Sequence, residues 1–295
     1  MIFTERHFDF LTGKTKVEVF MKQVSPHPEG SCSRGDAIRV AARGLIPVAV
    51  YRRMSELLNM WAVLQREGLA AWRLLSQFDG ALVTHQFRSL QCPFRFRRIP
   101  SHVGVIIQNV FRREYCRFPA RYTPRVIIDG GAFIGDLTCL WASQFPHARI
   151  IGLEPNADSF ELARLNSSCF GERVTLLQAG LWSECRRLQI VGVESSTRVL
   201  ASKSGDGMVE AIDLGTLLKK FSLDRVDILK LDIEGAEEEV LSERCIPWLG
   251  RISCIIVEFH GGKIEDEITP RLTKAGFTAR RFRSLVYFTK PSHKV

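Results

Sequence analysis

Residues 126–136 read Val-Ile-Ile-Asp-Gly-Gly-Ala-Phe-Ile-Gly-Asp. An apolar run over 125–129 ends in the acid Asp129, and residues 134–144 have the spacing of a helix. The glycines between them let the chain turn sharply and allow close approach of a ligand. The helix that follows offers unpaired N–H groups and the positive end of its dipole. With a strand before it and a helix after it, this turn predicts a ligand-binding loop of an α/β domain. It departs from the dinucleotide pattern G-x-G-x-x-G, which read from Gly130 requires a glycine where Ala132 stands.

Downstream, strand and helix alternate. Strands are expected at 149–154, 174–178, 226–232 and 252–259, and helices at 157–169, 214–221, 236–243 and 264–274, the last kinked at Pro270. Hairpins are expected at 188–193 and 208–212. Strands that are apolar throughout belong to a parallel sheet covered on both faces. The final strands, 277–282 and 285–289, are joined by a turn too short for anything but antiparallel pairing. Upstream, 51–77 reads as a helix broken at Gly68, followed by β-like pieces at 81–87 and 94–99 and a helical stretch at 103–115. Residues 25–36 read as a loop or linker. The expected organisation is a mostly helical N-terminal module over 1–124 and an α/β domain over 125–295.

Charge divides the chain at the same place. Residues 1–124 carry 19 Lys and Arg against 9 Asp and Glu, whereas 125–295 carry 22 against 23. Sixteen of the nineteen upstream cations are arginines, which suit phosphate and carboxylate groups. An anionic partner at this module is one expectation, and a solvated face with locally paired arginines is the other. No stretch approaches the roughly 20 apolar residues of a membrane helix, and residues 1–10 do not have the pattern of a signal peptide. A cytoplasmic location is expected. The eight cysteines form no C-x-x-C pair and no zinc spacing, so buried thiols such as Cys139 and Cys254 are expected rather than a disulfide framework.

The expected cofactor contacts are Asp129, the loop Gly130, Gly131, Ala132, Phe133, Ile134 and Gly135, and then Glu154, Pro155, Asn156, Gln178, Ala179 and Asp232. Glu154 ends the second strand 25 residues after Asp129, where an acid accepts hydrogen bonds from both ribose hydroxyls. Asp129 at the strand end suits a cofactor whose tail carries an ammonium group.

Four blocks resemble the FkbM family of class I methyltransferases: VIIDGGAFIGD at 126–136, IIGLEPNADSFELARLN at 150–166, VDILKLDIEGAEEEVL at 226–241 and IIVEFH at 255–260. The segment from Gln108 to Tyr115 also fits. The resemblance spans about 101–290. It implies a Rossmann-like sheet of seven strands with an antiparallel pair at the end. It also implies S-adenosyl-L-methionine as cofactor and O-methylation of hydroxyls on natural products or glycans. Family members often carry an acid some way before the tyrosine, where this chain has Ser101-His102.

Methyl transfer needs the nucleophile aligned about 3 Å from the methyl carbon, and a hydroxyl acceptor needs a base. Asp232, Glu234, Glu258 and His260 follow the two later strands, at the end where open α/β sheets bind ligands. His260 and Asp232 are expected to handle the proton, with Glu234 and Glu258 orienting. A divalent metal between Asp232, Glu234 and His260 is conceivable, but none is expected. The competing readings are a cofactor-binding scaffold without activity and a nucleic-acid methyltransferase using the basic module. The second lacks a recognisable RNA-binding motif.

Overall fold

A computed structural model describes residues 48–118, 122–191, 198–200, 208–260 and 262–290. The linker expected at 25–36 lies outside the described residues. Residues 59–295 form one compact unit. Helix α1 is Val48–Glu67, and α2 is Leu69–Leu75; Gly68, at φ 86°, breaks the helix as expected. Strands β1 (Leu82–His85) and β2 (Phe94–Arg97) pair antiparallel. Helix α3, Pro100–Val105, runs into a π-helical segment, Ile106–Phe111, where Arg112 N–H reaches back to the Ile107 carbonyl.

Strand β3 (Val126–Gly130), α4 (Asp136–Gln144), β4 (Arg149–Leu153), α5 (Ala157–Ser167) and β5 (Val174–Leu177) follow. Next come β6 (Gly180–Trp182), β7 (Arg186–Val191), β8 (Arg198–Leu200) and β9 (Met208–Asp213), then α6 (Leu214–Lys220) and β10 (Val226–Leu231). The chain continues through α7 (Glu237–Val240), α8 (Ile246–Leu249), β11 (Ile252–Glu258), α9 (Gly262–Lys274), β12 (Thr278–Phe282) and β13 (Leu285–Thr289).

Seven strands form the main sheet in the order β12-β13-β11-β10-β3-β4-β5. The five from β11 to β5 are parallel, and β13 and β12 pair antiparallel, as the short final turn requires. From β3 the chain moves first to one side, to β4, and later to the other, to β10. The carboxyl ends of β3 and β10 therefore flank the switch point of the sheet, where such folds hold ligands. The smaller sheet, β6-β9-β7-β8, was legible only as hairpins; β6 and β8, three residues each, were not expected.

Alternation along β3 explains the two cores. Ile127 packs with Ile150, Ile228 and Ile256 on one face, and Ile128 with Ile151, Leu229 and Ile255 on the other. Leu75, Phe87, Phe96, Val110, Phe111 and Trp141 belong to the first cluster. The segment upstream of β3 thus shares a core with the sheet. Residues of α6, α8 and α9 complete the second.

Three expectations are corrected. Cys92 and Cys169, 77 residues apart, form a disulfide, because the end of α5 packs beside β2 and brings the loop before that strand to it. Cys139 and Cys254 are buried thiols, as expected. The helix expected over 236–243 is a single turn, since Glu234 and Gly235 at φ 53° and 104° hold the preceding chain as a loop. The helix expected from 134 begins at Asp136, after Gly135 in the left-handed region. Among the described residues no helix is long and apolar enough to cross a membrane.

Candidate active site

A cleft of about 240 Å³ opens at the carboxyl ends of β3, β4, β10 and β11. Gly131, Phe133, Glu154, Pro155, Ala179, Asp232, Glu234, Glu258 and His260 line it, together with Gln108 and Asn109 of the π-helical segment. Other expected contacts sit behind this wall. Gly130, Ala132, Ile134 and Gly135 shape the loop from within. Asn156 caps α5 by accepting from the N–H groups of Asp158 and Ser159. Gln178 is exposed and borders a separate shallow depression. Asp129 is fully buried beneath the loop; Thr138 donates to its Oδ2 at 2.6 Å.

Glu154 is buried at the end of β4. Its two oxygens accept from the N–H groups of Phe133 and Asn156, each at 2.8 Å, which ties the glycine loop to the start of α5. Burial outweighs these bonds and pushes its pKa up to about 7. A carboxyl that holds its proton more tightly when folded contributes stability that is complete below its ordinary value of 4.5 and is lost as pH rises through about 7. Glu154→Gln, which stays neutral, should therefore gain stability relative to the parent between pH 5 and 8, by on the order of 1–3 kcal/mol. Denaturant unfolding at both pH values checks this; equal differences would contradict it.

Asn109 donates to Asp136 Oδ2 at 2.7 Å, while its Oδ1 is buried without a hydrogen-bond partner among the described residues. Burial raises the pKa of Asp136 to about 6. Asn109 and Glu154 thus present acceptors to the cleft, which suits a ligand carrying hydroxyl or ammonium groups. His102, in the pair that departs from the family pattern, is buried; its Nδ1 accepts from Arg97 N–H and its ring meets Phe133 edge-on.

Opposite stands a charged group. His260 Nδ1 lies 2.9 Å from Glu237 Oε1, and Nε2 lies 3.8 Å from Asp232 and 3.6 Å from Glu234. Burial alone would lower the pKa of His260, but the Glu237 hydrogen bond and the three carboxylate charges prevail and raise it to about 9. The ring thus keeps its second proton at neutral pH. Glu258 is held above the usual carboxylate range by burial and by the charge of Asp232.

Three residues at this site escaped the sequence reading. The Tyr115 hydroxyl lies 3.0 Å from Asp232 Oδ2 and 3.1 Å from Glu258 Oε2, so it bridges the two. Glu237, fully buried, accepts from Ile233 and Gly235 N–H and holds His260. Lys230 donates to the Gly131 carbonyl at 2.6 Å and lies 3.3 Å from Asp129 Oδ1 and 3.7 Å from Asp232 Oδ2. A lone lysine inside an apolar strand was the available signal, since a buried ammonium requires an anion.

The chain belongs to the FkbM family of methyltransferases: residues 129–279 match the methyltransferase FkbM domain. It is similar to hexuronic acid methyltransferase AglP of Haloferax volcanii, 27% identical over 154 residues, which are 51% of this chain and 62% of that one. It is also similar to the release factor glutamine methyltransferase of Geobacter sulfurreducens, 30% identical over 48% of this chain and 49% of that protein. The chain therefore spans less than two thirds of either relative. Among solved structures, methyltransferase FkbM from Methylobacillus flagellatus KT matches at 13% identity with a TM-score of 0.44, over 63% of this chain and 53% of that one.

Proposed function

We propose that the cleft binds S-adenosyl-L-methionine and that the chain methylates a hydroxyl of a small molecule, natural product or glycan. The observation that carries this reading is Glu154: a carboxylate at the end of β4, lining the cleft beside the glycine loop at the switch point of the sheet. An acid there suits the two hydroxyls of a ribose. Asn109 and the loop backbone would meet the cofactor's amino-acid portion. When bound, the cofactor supplies a methyl group on a cationic sulfur. The protein then has to align the acceptor oxygen and take up its proton. In this reading Asp232, with His260 facing its Oδ1, takes up that proton, and Glu234 and Glu258 orient the acceptor. The name of the Haloferax relative, a hexuronic acid methyltransferase, agrees with a sugar acceptor.

Titration with S-adenosylhomocysteine tests the core of this reading. The chain should bind it, and Glu154→Ala should weaken binding by roughly 1.5–3 kcal/mol, the scale of hydrogen bonds to a charged acceptor. Unchanged affinity in a folded variant would remove Glu154 from the site.

A further inference from the structure

We propose that Asp232, Glu234 and His260 hold a divalent transition-metal cation, of the Mn²⁺ type, at the acceptor side of the cleft. One ligand atom from each lies within 4.8 Å of the others. Two atoms each about 2.1 Å from one cation are at most about 4.2 Å apart, so His260 Nε2 at 3.6 and 3.8 Å from the two carboxylates already has the required spacing. Closing the third pair takes only a small side-chain movement.

The surroundings support the cation more strongly than the spacing does. A metal-binding histidine as a rule gives its second nitrogen to a carboxylate, which fixes the ring. Here the fully buried Glu237 takes His260 Nδ1 and leaves Nε2 toward Asp232 and Glu234. Glu237 also accepts from Ile233 and Gly235 N–H, on either side of Glu234, and so fixes the loop that presents that residue. Asp232 is arranged likewise. Its Oδ2 receives the buried Tyr115 hydroxyl, while Oδ1 faces His260. Two of the three ligands are thus oriented by buried partners that point the ligating atom at the same spot. One imidazole with two carboxylates suits Mn²⁺ or Zn²⁺ better than Ca²⁺. Three protein ligands leave coordination positions open to water or to oxygens of an acceptor. Binding itself does not depend on the methyl-transfer reading; only the cation's service to an acceptor rests on it.

The test uses the full chain, stripped with a chelator and titrated with Mn²⁺, with free ion followed by electron paramagnetic resonance. One Mn²⁺ per chain should bind, with nitrogen coupling from a single imidazole in the pulsed spectrum. Glu234→Gln and His260→Gln should each loosen it at least tenfold, and Glu237→Gln by roughly 10–100-fold with weakened nitrogen coupling. No saturable uptake at millimolar Mn²⁺, uptake without nitrogen coupling, or affinity unmoved by all three substitutions overturns the site. The stripped chain is titrated in parallel with S-adenosylhomocysteine. If it takes that ligand but no Mn²⁺, the cation site fails and the methyl-transfer reading stands. If it takes Mn²⁺ alone, the site stands and that reading fails.

Discussion

Lys230→Met should destabilise the chain by about 3–5 kcal/mol, the scale for breaking a buried ion pair from one side. Lys230 is 4% exposed and Asp129 not at all. Their residues are direct partners across β10 and β3, so neither can turn to solvent without parting the centre of the sheet. Burial by itself would lower the lysine's pKa; Asp129, Asp232 and Asp136 together hold it above its ordinary value. Methionine fills the same volume but leaves Asp129 with Thr138 as its single hydrogen-bond donor among the described residues. The Gly131 carbonyl loses its donor in the same step. Asp129→Asn introduced beside Lys230→Met should recover part of the loss, because the neutral amide no longer needs a counter-charge. Urea unfolding of the two variants and the parent measures both terms. A single-variant loss below about 1 kcal/mol, or a double variant less stable than the single one, would show that the pair does not hold this part of the sheet.

What the sequence revealed follows from where the information resides. Strands such as 126–130 and 252–258 are legible because a strand buried on both faces is a near-continuous apolar run, as at 126–128 and 254–257. The glycine loop is legible because its backbone requirements are local. The antiparallel pair at the end is legible because Arg283 and Ser284 leave no length for a crossover. Tyr115 is different: its partners lie 117 and 143 residues away, and nothing around it separates a site tyrosine from one that fills a core. Glu237 looks like one of three acids opening a helix, and only the fold shows that its side chain closes back on the preceding loop. The Cys92–Cys169 bridge is likewise tertiary. Strands β6 and β8 are too short for alternation to register.

Gly131→Val should abolish binding of S-adenosylhomocysteine and cost about 3 kcal/mol or more in stability. Two independent penalties combine. Gly131 sits at φ 78°, where a branched side chain is strained by roughly 1–3 kcal/mol. A Cβ there would also lie 2.0 Å from the carbonyl oxygen of Asp232, a backbone atom. The loop has no room to withdraw. Gly131 N–H is bonded to the Leu153 carbonyl at 2.9 Å, its own carbonyl takes Lys230 Nζ, and Asp232 N–H is bonded to the Gly130 carbonyl. Relief therefore means driving β10 away from β3, which moves Asp232 out of the cleft and loosens the tie between the loop and Glu154. Gly68 supplies the comparison. It has a similar φ of 86° but nothing within 4 Å of its Cβ position. Gly68→Val should pay the backbone strain alone and leave ligand affinity unchanged. Calorimetry and thermal unfolding on both variants separate the two penalties. Equal stability losses would mean that the contact with Asp232 is relieved at no cost. Retained affinity in Gly131→Val would mean that the close approach of β3 and β10 is not what forms the binding loop.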